Sequence, residues 1–286
     1  MGFAPMARRL WWISWAIVVV PPLLHADDPP RQQLVLLLAQ SPDGHPPAAH
    51  EYIASLRIMD LMLRQQPRIE TRMVIADSPW TDGPALLDRA DAAVLFLAEG
   101  AKWVSADPER LAAFQRLSER KGGLSCLHWA MGTKGAEPIP AFTALFGGCH
   151  GGPDRKYKFL ETELRPVATA HPVTTGIAPV TVRDEFYYAL KWPVSRSLRS
   201  DRDTSSPPQP LMEALIDDTP QIVAWAWDRP DGGRSFGFSG LHYHGNWSRP
   251  EYRRLVLQGV LWTLGREIPS EPPLSIDVPE ALLPRP

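Results

Sequence analysis

The chain has 286 residues, of which 44% are hydrophobic and 22% are charged, and 30 lysines and arginines nearly balance 32 aspartates and glutamates. This composition is typical of a folded globular protein and excludes a disordered or fibrous chain. The net charge of -2 and the lack of a basic run beyond the N-terminus argue against a nucleic-acid partner.

The first 26 residues have the pattern of a secretory signal peptide. Arg8 and Arg9 form a positive region, an apolar run follows over 10–20, and Ala26 ends a suitable cleavage site. Because the apolar run is short for a bilayer span, we expect cleavage near Ala26 and no stable membrane span afterwards. The mature protein is then expected in the periplasm or outside the cell, with an uncleaved membrane anchor as the alternative.

Alternating strand and helix patterns occupy the first half of the chain. The run 33–39 has the unbroken apolar composition of a strand covered on both faces, and the runs 70–76, 91–100 and 123–129 are predicted as three further strands. Apolar residues at helical spacing fill 50–66, and Pro108 opens a second amphipathic helix that ends at Gly122. This alternation predicts an α/β domain with a flavodoxin-like, doubly wound and mostly parallel sheet.

The second half is less regular. A polar excursion rich in serine and proline occupies 193–210. The segments QIVAWAW and RSFGFSG, joined by an Asp-Gly turn, predict a hairpin, and a closing amphipathic helix ends at Gly265. We therefore predict a single domain over 31–267 and a proline-rich tail over 268–286.

Histidines follow several of the predicted strands. His45 and His50 come after the first strand, His128 ends the fourth, and His242 and His244 follow the last. Because open parallel sheets bind ligands beyond the carboxyl ends of their strands, we expect these five of the seven histidines after residue 26 to share one pocket. Two strand residues two positions apart point to one face, so His242 and His244 could ligate one metal ion. A partly exposed pair in a loop is the alternative.

His128 lies in a pattern typical of a tight strand-to-helix turn. Cys126 and Ala130, two positions before and after it, are small, as crowding in such an elbow requires. The displayed side chain is therefore predicted to be His128 rather than Cys126. A strand-end histidine that bonds a backbone carbonyl is the alternative. Cys126 and Cys149 could form a disulfide, although Cys126 has the context of a buried strand residue.

Two further stretches carry polar groups suited to a site. DEFYY offers Asp184 and Glu185, and His150 stands among glycines, where the backbone can approach a ligand closely. Imidazole together with carboxylate suits Zn, Mn or Fe. We assign the predicted roles as follows: His128, His242 and His244 as metal ligands, and His128, Glu185 and His50 as catalytic groups.

At these motifs the sequence resembles the ThuA-like, trehalose utilisation family, whose fold is that of class I glutamine amidotransferases. The matching stretches are GHPPAAHEY, GGLSCLHWAMG, DEFYY and VAWAWDRPDGGRSFGFSGLHYHGNW, which run through most of 33–267. The resemblance implies a role in sugar catabolism. Glutaminase activity is not implied, because the elbow lacks a cysteine flanked by glycines.

We therefore expect an exported enzyme of carbohydrate breakdown, which would be a hydrolase, lyase or isomerase. Its substrate is expected to be a small sugar or keto-sugar. The expected mechanism is histidine-based acid/base chemistry, which a divalent metal could assist. No nucleotide cofactor is expected, and the sequence leaves the oligomeric state open. The alternatives are a non-catalytic sugar-binding protein and, less favoured, a thiol-dependent amidotransferase or acyltransferase that uses Cys126. Six side chains are predicted to bind the sugar by stacking or hydrogen bonding: His45, Trp129, His150, Tyr187, Tyr243 and Trp247.

Overall fold

A computed structural model describes residues 1–2, 31–167, 170–194, 206–271 and 274–284. Most of the predicted signal peptide and most of the polar excursion lie outside the described residues. The chain divides into a segment up to Arg31 and a compact unit from Gln32 onward, and every helix and strand described belongs to the second unit. No helix in the described ranges is long and apolar enough to cross a membrane.

The unit contains eleven strands and six α-helices within the described residues. The strands are β1 (Gln33–Ala39), β2 (Ile69–Ile75), β3 (Ala92–Phe96), β4 (Gly123–Leu127), β5 (Gly132–Thr133), β6 (His150–Gly151), β7 (Lys156–Pro166), β8 (Val180–Tyr188), β9 (Gln209–Ile216), β10 (Thr219–Asp228) and β11 (Arg234–Phe238). The helices are α1 (Tyr52–Arg64), α2 (Gly83–Arg89), α3 (Gly100–Ser105), α4 (Pro108–Glu119), α5 (Ile139–Phe146) and α6 (Pro250–Thr263). Four predicted parallel strands, the hairpin and three helices are thus confirmed, while α2, α3 and α5 were not predicted.

Nine strands form one sheet in the order β2-β1-β3-β4-β11-β10-β9-β7-β8, and β5 pairs with β6 separately. The central strands β2, β1, β3, β4 and β11 are parallel, whereas β10, β9, β7 and β8 alternate in direction. The α/β, doubly wound fold with a mostly parallel central sheet is therefore as predicted. Beyond the predicted hairpin of β10 and β11, the antiparallel extension by β9, β7 and β8 was not predicted.

Hydrophobic cores cover both faces of the sheet. On β1, Val35 and Leu37 belong to the core that also contains α1 and α6 side chains, whereas Leu36 and Leu38 belong to the core formed with α2 to α5. Successive strand residues point to opposite faces, so a strand covered on both faces must be apolar throughout. This is why the unbroken apolar run 33–39 identified β1 as a central strand.

The antiparallel ribbon of β7 and β8 folds over the carboxyl edge of the sheet. β8 is five strand spacings from β4, which in a flat sheet would separate them by about 24 Å at about 4.8 Å per spacing. Yet Glu185 Oε2 on β8 lies 3.4 Å from Nε2 of His128, which follows β4. The ribbon can bend because β7 pairs with β9 only over Leu164–Pro166.

Part of the predicted tail contacts the domain. Ile276 is buried, and its carbonyl accepts a hydrogen bond from Arg253 Nε at 3.2 Å. The carbonyl of Asp277 accepts another from Gln65 Nε2 at 2.7 Å. These contacts join the segment around Ile276 to α1 and α6.

Candidate metal centre and active site

Four buried side chains converge at the carboxyl edge of the sheet. They are His50, His128, Glu185 and His242, and their candidate ligand atoms all lie within 4.8 Å of one another. His50 Nε2 is 3.1 Å from His128 Nε2, and Glu185 Oε2 is 3.4 Å from His128 Nε2 and 3.0 Å from His242 Nδ1. The structure thus brings three predicted histidines and the predicted carboxylate to one point.

Two of these histidines have left-handed backbone conformations. His128, directly after β4, has φ of 49°, and His50 has φ of 53°. A residue other than glycine in this region costs about 1–3 kcal/mol and persists only where its surroundings hold it. His128 therefore occupies the elbow that the small residues around it predicted, and its imidazole, not the thiol of Cys126, faces the cluster.

Hydrogen bonds set the tautomers of His50 and His128. His50 Nδ1 lies 2.8 Å from Asp43 Oδ2, and His128 Nδ1 lies 2.7 Å from the carbonyl oxygen of Ser239. Because a carboxylate and a carbonyl only accept, we assign the proton to Nδ1 in both rings. When the rings are neutral, both Nε2 lone pairs then point toward the shared centre.

His242 brings another nitrogen to this centre. Its Nδ1 is 3.0 Å from Glu185 Oε2, but the orientation is not that of a hydrogen bond, and the atom is buried without a hydrogen-bond partner among the described residues. A buried polar atom without a partner is costly and indicates a ligand or a functional role. Three ring nitrogens and one carboxylate oxygen thus lie close together in a buried site.

Asp184, beside Glu185 on β8, holds the segment that carries His242. Its carboxylate accepts hydrogen bonds from Leu241 N at 2.7 Å and Tyr243 N at 3.3 Å, on either side of His242, and from the Tyr252 hydroxyl at 3.0 Å. Burial raises the pKa of the Asp184 carboxyl. Asp184 does not face the cluster, and its role is to position His242.

The electrostatic balance of the cluster favours an ionised Glu185 and a neutral His50. Burial alone would raise the pKa of Glu185, but the neighbouring His128 and His242 bring it down to about 2. Burial, together with the charge of His128, lowers the pKa of His50 to about 3. Burial would also raise the pKa of Asp43, yet hydrogen bonds led by that of His50 hold it well below its usual range. At neutral pH, His50 therefore keeps its lone pair available to a cation.

Aromatic rings stack beside the cluster. Tyr187 lies between two imidazoles, with centroids 4.5 Å from His128 and 4.0 Å from His150, and its hydroxyl is 3.1 Å from His128 Nε2. Trp129, half-buried, contacts both His150 and Tyr187 edge-on. Burial raises the pKa of Tyr187, so its phenol stays protonated and can donate.

His45 covers the cluster from the solvent side. Its ring lies 3.7 Å from that of His50, its side chain is 41% exposed, and its Nδ1 is 2.7 Å from Asp43 Oδ1. Tyr243 is half-buried with its ring 4.7 Å from that of His242. Both residues therefore lie beside the cluster, and their contacts with a substrate stay a prediction.

Comparison with known proteins identifies the family of this chain. The trehalose utilisation family, ThuA, matches residues 41–263 of the 286. The chain belongs to this family. A ThuA-like protein from Bacteroides uniformis is 14% identical with a TM-score of 0.58, over 87% of this chain and 97% of its own. A cytoplasmic protein from Salmonella typhimurium is 12% identical with a TM-score of 0.50, over 81% of this chain and 98% of its own. Among curated proteins no match was found. These likenesses confirm the ThuA-like α/β fold that the resemblance implied.

Two sequence-predicted residues of this ThuA protein lie away from the cluster. His244 Nδ1 is 3.0 Å from Ser55 Oγ of α1, and Trp247 is fully buried in the hydrophobic core. The strand expected to carry His242 and His244 ends at Phe238, and a short helical turn begins at His244. Because the period of two applies only within a strand, the two histidines do not form a pair.

Sequence reasoning missed the groups that orient His50. Asp43 accepts from the Tyr52 hydroxyl at 2.7 Å while it faces His50, so both residues fix the imidazole. Metal-ligating histidines commonly direct their second nitrogen to a carboxylate. The sequence did offer a clue to Asp43, because it lies in the loop SPDGHPPAAHEY together with the two histidines that follow β1.

The cysteines are buried and free. Cys126 has no exposed surface, and burial raises the pKa of its thiol well above the usual range. Burial also raises the pKa of Cys149 to about 12. A buried thiol that resists ionisation is a poor nucleophile. The structure therefore shows no disulfide between Cys126 and Cys149. Neither buried thiol is suited to act as a nucleophile.

Proposed function

We propose that this ThuA protein is an exported enzyme of carbohydrate catabolism that acts on a sugar or keto-sugar by metal-assisted acid/base chemistry at a centre formed by His50, His128, His242 and Glu185. The observation that carries the proposal is the convergence of four buried acceptor atoms on one point. Acceptors that face one another repel unless a proton or a cation lies between them. Three imidazole nitrogens and one carboxylate oxygen suit Zn, Mn or Fe.

The cation would be held by His50 Nε2, His128 Nε2, His242 Nδ1 and Glu185 Oε2. Their supports are of the kind that orient metal ligands, because Asp43 and the Ser239 carbonyl receive the second nitrogens of His50 and His128. The predicted ligands His128 and His242 are in this set, whereas His50 and Glu185 replace His244. A divalent metal bound there would polarise a carbonyl or hydroxyl oxygen.

The surrounding side chains supply hydrogen bonds and stacking. Glu185 is ionised at neutral pH, so it can ligate a cation or accept a hydrogen bond, and the Tyr187 phenol is protonated and can donate a hydrogen bond. Trp129 and Tyr243 offer half-buried aromatic rings, which can stack on the apolar face of a sugar. The trehalose utilisation family supports a carbohydrate as substrate.

Export is proposed from residues 1–26 alone, whose charged and apolar regions have the order of a signal peptide. Expression in a bacterium that exports proteins should give a periplasmic form whose N-terminal sequence begins near Asp27. Recovery of only the uncut chain in the membrane fraction would instead identify the segment as an anchor.

Metal analysis of variants at His242 and His244 tests the proposed metal centre. The purified protein, stripped with a chelator and titrated with zinc or manganese, should bind one ion per chain. His242→Ala should lose that ion, whereas His244→Ala should retain it, because His244 faces Ser55 instead of the cluster. The ion content is measured by elemental analysis after dialysis.

The outcomes separate the alternatives. Equal ion content in both variants and the wild type would contradict the proposed centre. A wild-type chain that binds no ion, and that still binds trehalose after His128→Ala, would identify a non-catalytic sugar-binding protein.

A further inference from the structure

Two large aromatic residues on β7 remain exposed beside the buried cluster. Tyr157 is 52% exposed and Phe159 is 49% exposed, whereas most large apolar side chains of the described residues are buried. They are two positions apart on a strand, so they point to the same face. Sequence reasoning assigned no role to either residue.

The register of the ribbon places this pair on the face of the candidate active site. Phe159 lies directly opposite Glu185, and Tyr157 directly opposite Tyr187, on the antiparallel strand β8. Residues that are directly opposite share a face and have neighbouring Cβ atoms. The Phe159 ring is 4.9 Å from that of His242. Tyr157 and Phe159 on β7 therefore lie side by side with Tyr187 and Glu185 on β8, on the same face of the ribbon.

The aromatic character is confined to the end of β7 near the cluster. Farther along the same face the strand carries Glu161 and Glu163, which are exposed and pair with Arg183 and Thr181. An ordinary solvent-facing strand surface would carry such charged residues throughout. An exposed aromatic patch on an otherwise charged strand face marks a surface that binds another molecule.

We propose that Tyr157 and Phe159 form a subsite for the second sugar ring of a disaccharide or longer glycoside. The inference rests on the proposed function, which places the reacting ring at the histidine cluster. Because the cluster is buried, the remainder of a larger carbohydrate would extend toward the surface, where the exposed Phe159 lies beside His242. The two aromatic rings lie 6.3 Å apart with planes at 89° to each other, so one ring can stack on the apolar face of a sugar while the other contacts its edge.

Calorimetric titration of the metal-loaded protein with glucose, trehalose, maltose and cellobiose tests the subsite. At least one disaccharide should bind about 10-fold more tightly than glucose, because a stacking contact has that order of effect. Phe159→Ala should remove this preference for the disaccharide and leave the affinity for glucose unchanged. Phe159→Tyr, which keeps an aromatic ring, should retain the preference. Glu161→Ala, on the same face two positions along, should have no effect and is the matched control.

Three outcomes would overturn the subsite: no disaccharide that binds more tightly than glucose, an equal loss for glucose and disaccharide in Phe159→Ala, or a dimer in sedimentation that Phe159→Ala converts to a monomer. The last result would show that the surface joins two copies of the chain. A disaccharide preference that depends on Phe159 in a protein that binds no metal would contradict the proposed function and leave the subsite in place.

Discussion

Replacing His128 with asparagine is expected to weaken zinc or manganese binding by more than about 100-fold, since losing a group that only orients a ligand already costs about 10–100-fold. His128 Nε2 lies at the middle of the cluster, 3.1 Å from His50 Nε2 and 3.4 Å from Glu185 Oε2. Asparagine is preferred to alanine here because it tolerates the left-handed backbone, with φ of 49°, that this elbow requires. Competition with a chromophoric chelator measures the affinity.

His171→Asn is the matched control for this substitution. His171 lies in a loop, accepts a hydrogen bond from Val173 N and contacts Trp262, so its loss should leave metal affinity unchanged. Turnover of a carbohydrate substrate should fall by about 100-fold or more in His128→Asn at limiting metal, because the metal that assists the reaction is held less tightly. A folded His128→Asn protein with wild-type metal affinity would contradict the assignment of His128 as a ligand.

Asp184→Asn is expected to lower the free energy of unfolding by about 2–4 kcal/mol, because hydrogen bonds to a buried charged group contribute about 1.5–3 kcal/mol and an amide nitrogen cannot accept them. The fully buried carboxylate accepts from backbone N–H groups on both sides of His242 and from the Tyr252 hydroxyl. Loosening this segment should also weaken metal binding by about 10–100-fold, as loss of a supporting group does. Urea unfolding and chelator competition measure the two effects.

An exposed aspartate provides the comparison. Asp88 pairs with Arg116 and Arg120 on the surface, and Asp88→Asn should change stability by less than about 1 kcal/mol. If both substitutions changed stability equally, Asp184 would not be the buried support of the His242 segment. A destabilised Asp184→Asn with unchanged metal affinity would show that the segment holds His242 by other contacts.

The sequence predicted the features that depend on local patterns. The apolar runs located β1, β3 and β4, because a strand buried on both faces needs apolar residues at nearly every position. Because the carboxyl ends of parallel strands meet at one edge of the sheet, the sequence also predicted that His50, His128 and His242 lie close together. The small residues beside His128 predicted its elbow for a steric reason, and the structure shows the left-handed backbone there.

Features that depend on distant chain segments could not be predicted in this way. The pairing of His242 with His244 assumed that the strand continued, but β11 ends at Phe238 and the backbone turns at Leu241, with φ of 84°. Trp247 belongs to the core because of how this turn packs. The position of Phe159 opposite Glu185 depends on the register of a long antiparallel ribbon, which no short motif specifies.

The most direct test of the metal centre is an anomalous-difference map from crystals soaked with zinc or manganese, recorded at the absorption edge of the metal. We expect one ordered ion in each chain, between His50, His128, Glu185 and His242, with no ion at His244. A map with no ion at this point, or with its strongest peak elsewhere in the protein, would contradict the central claim.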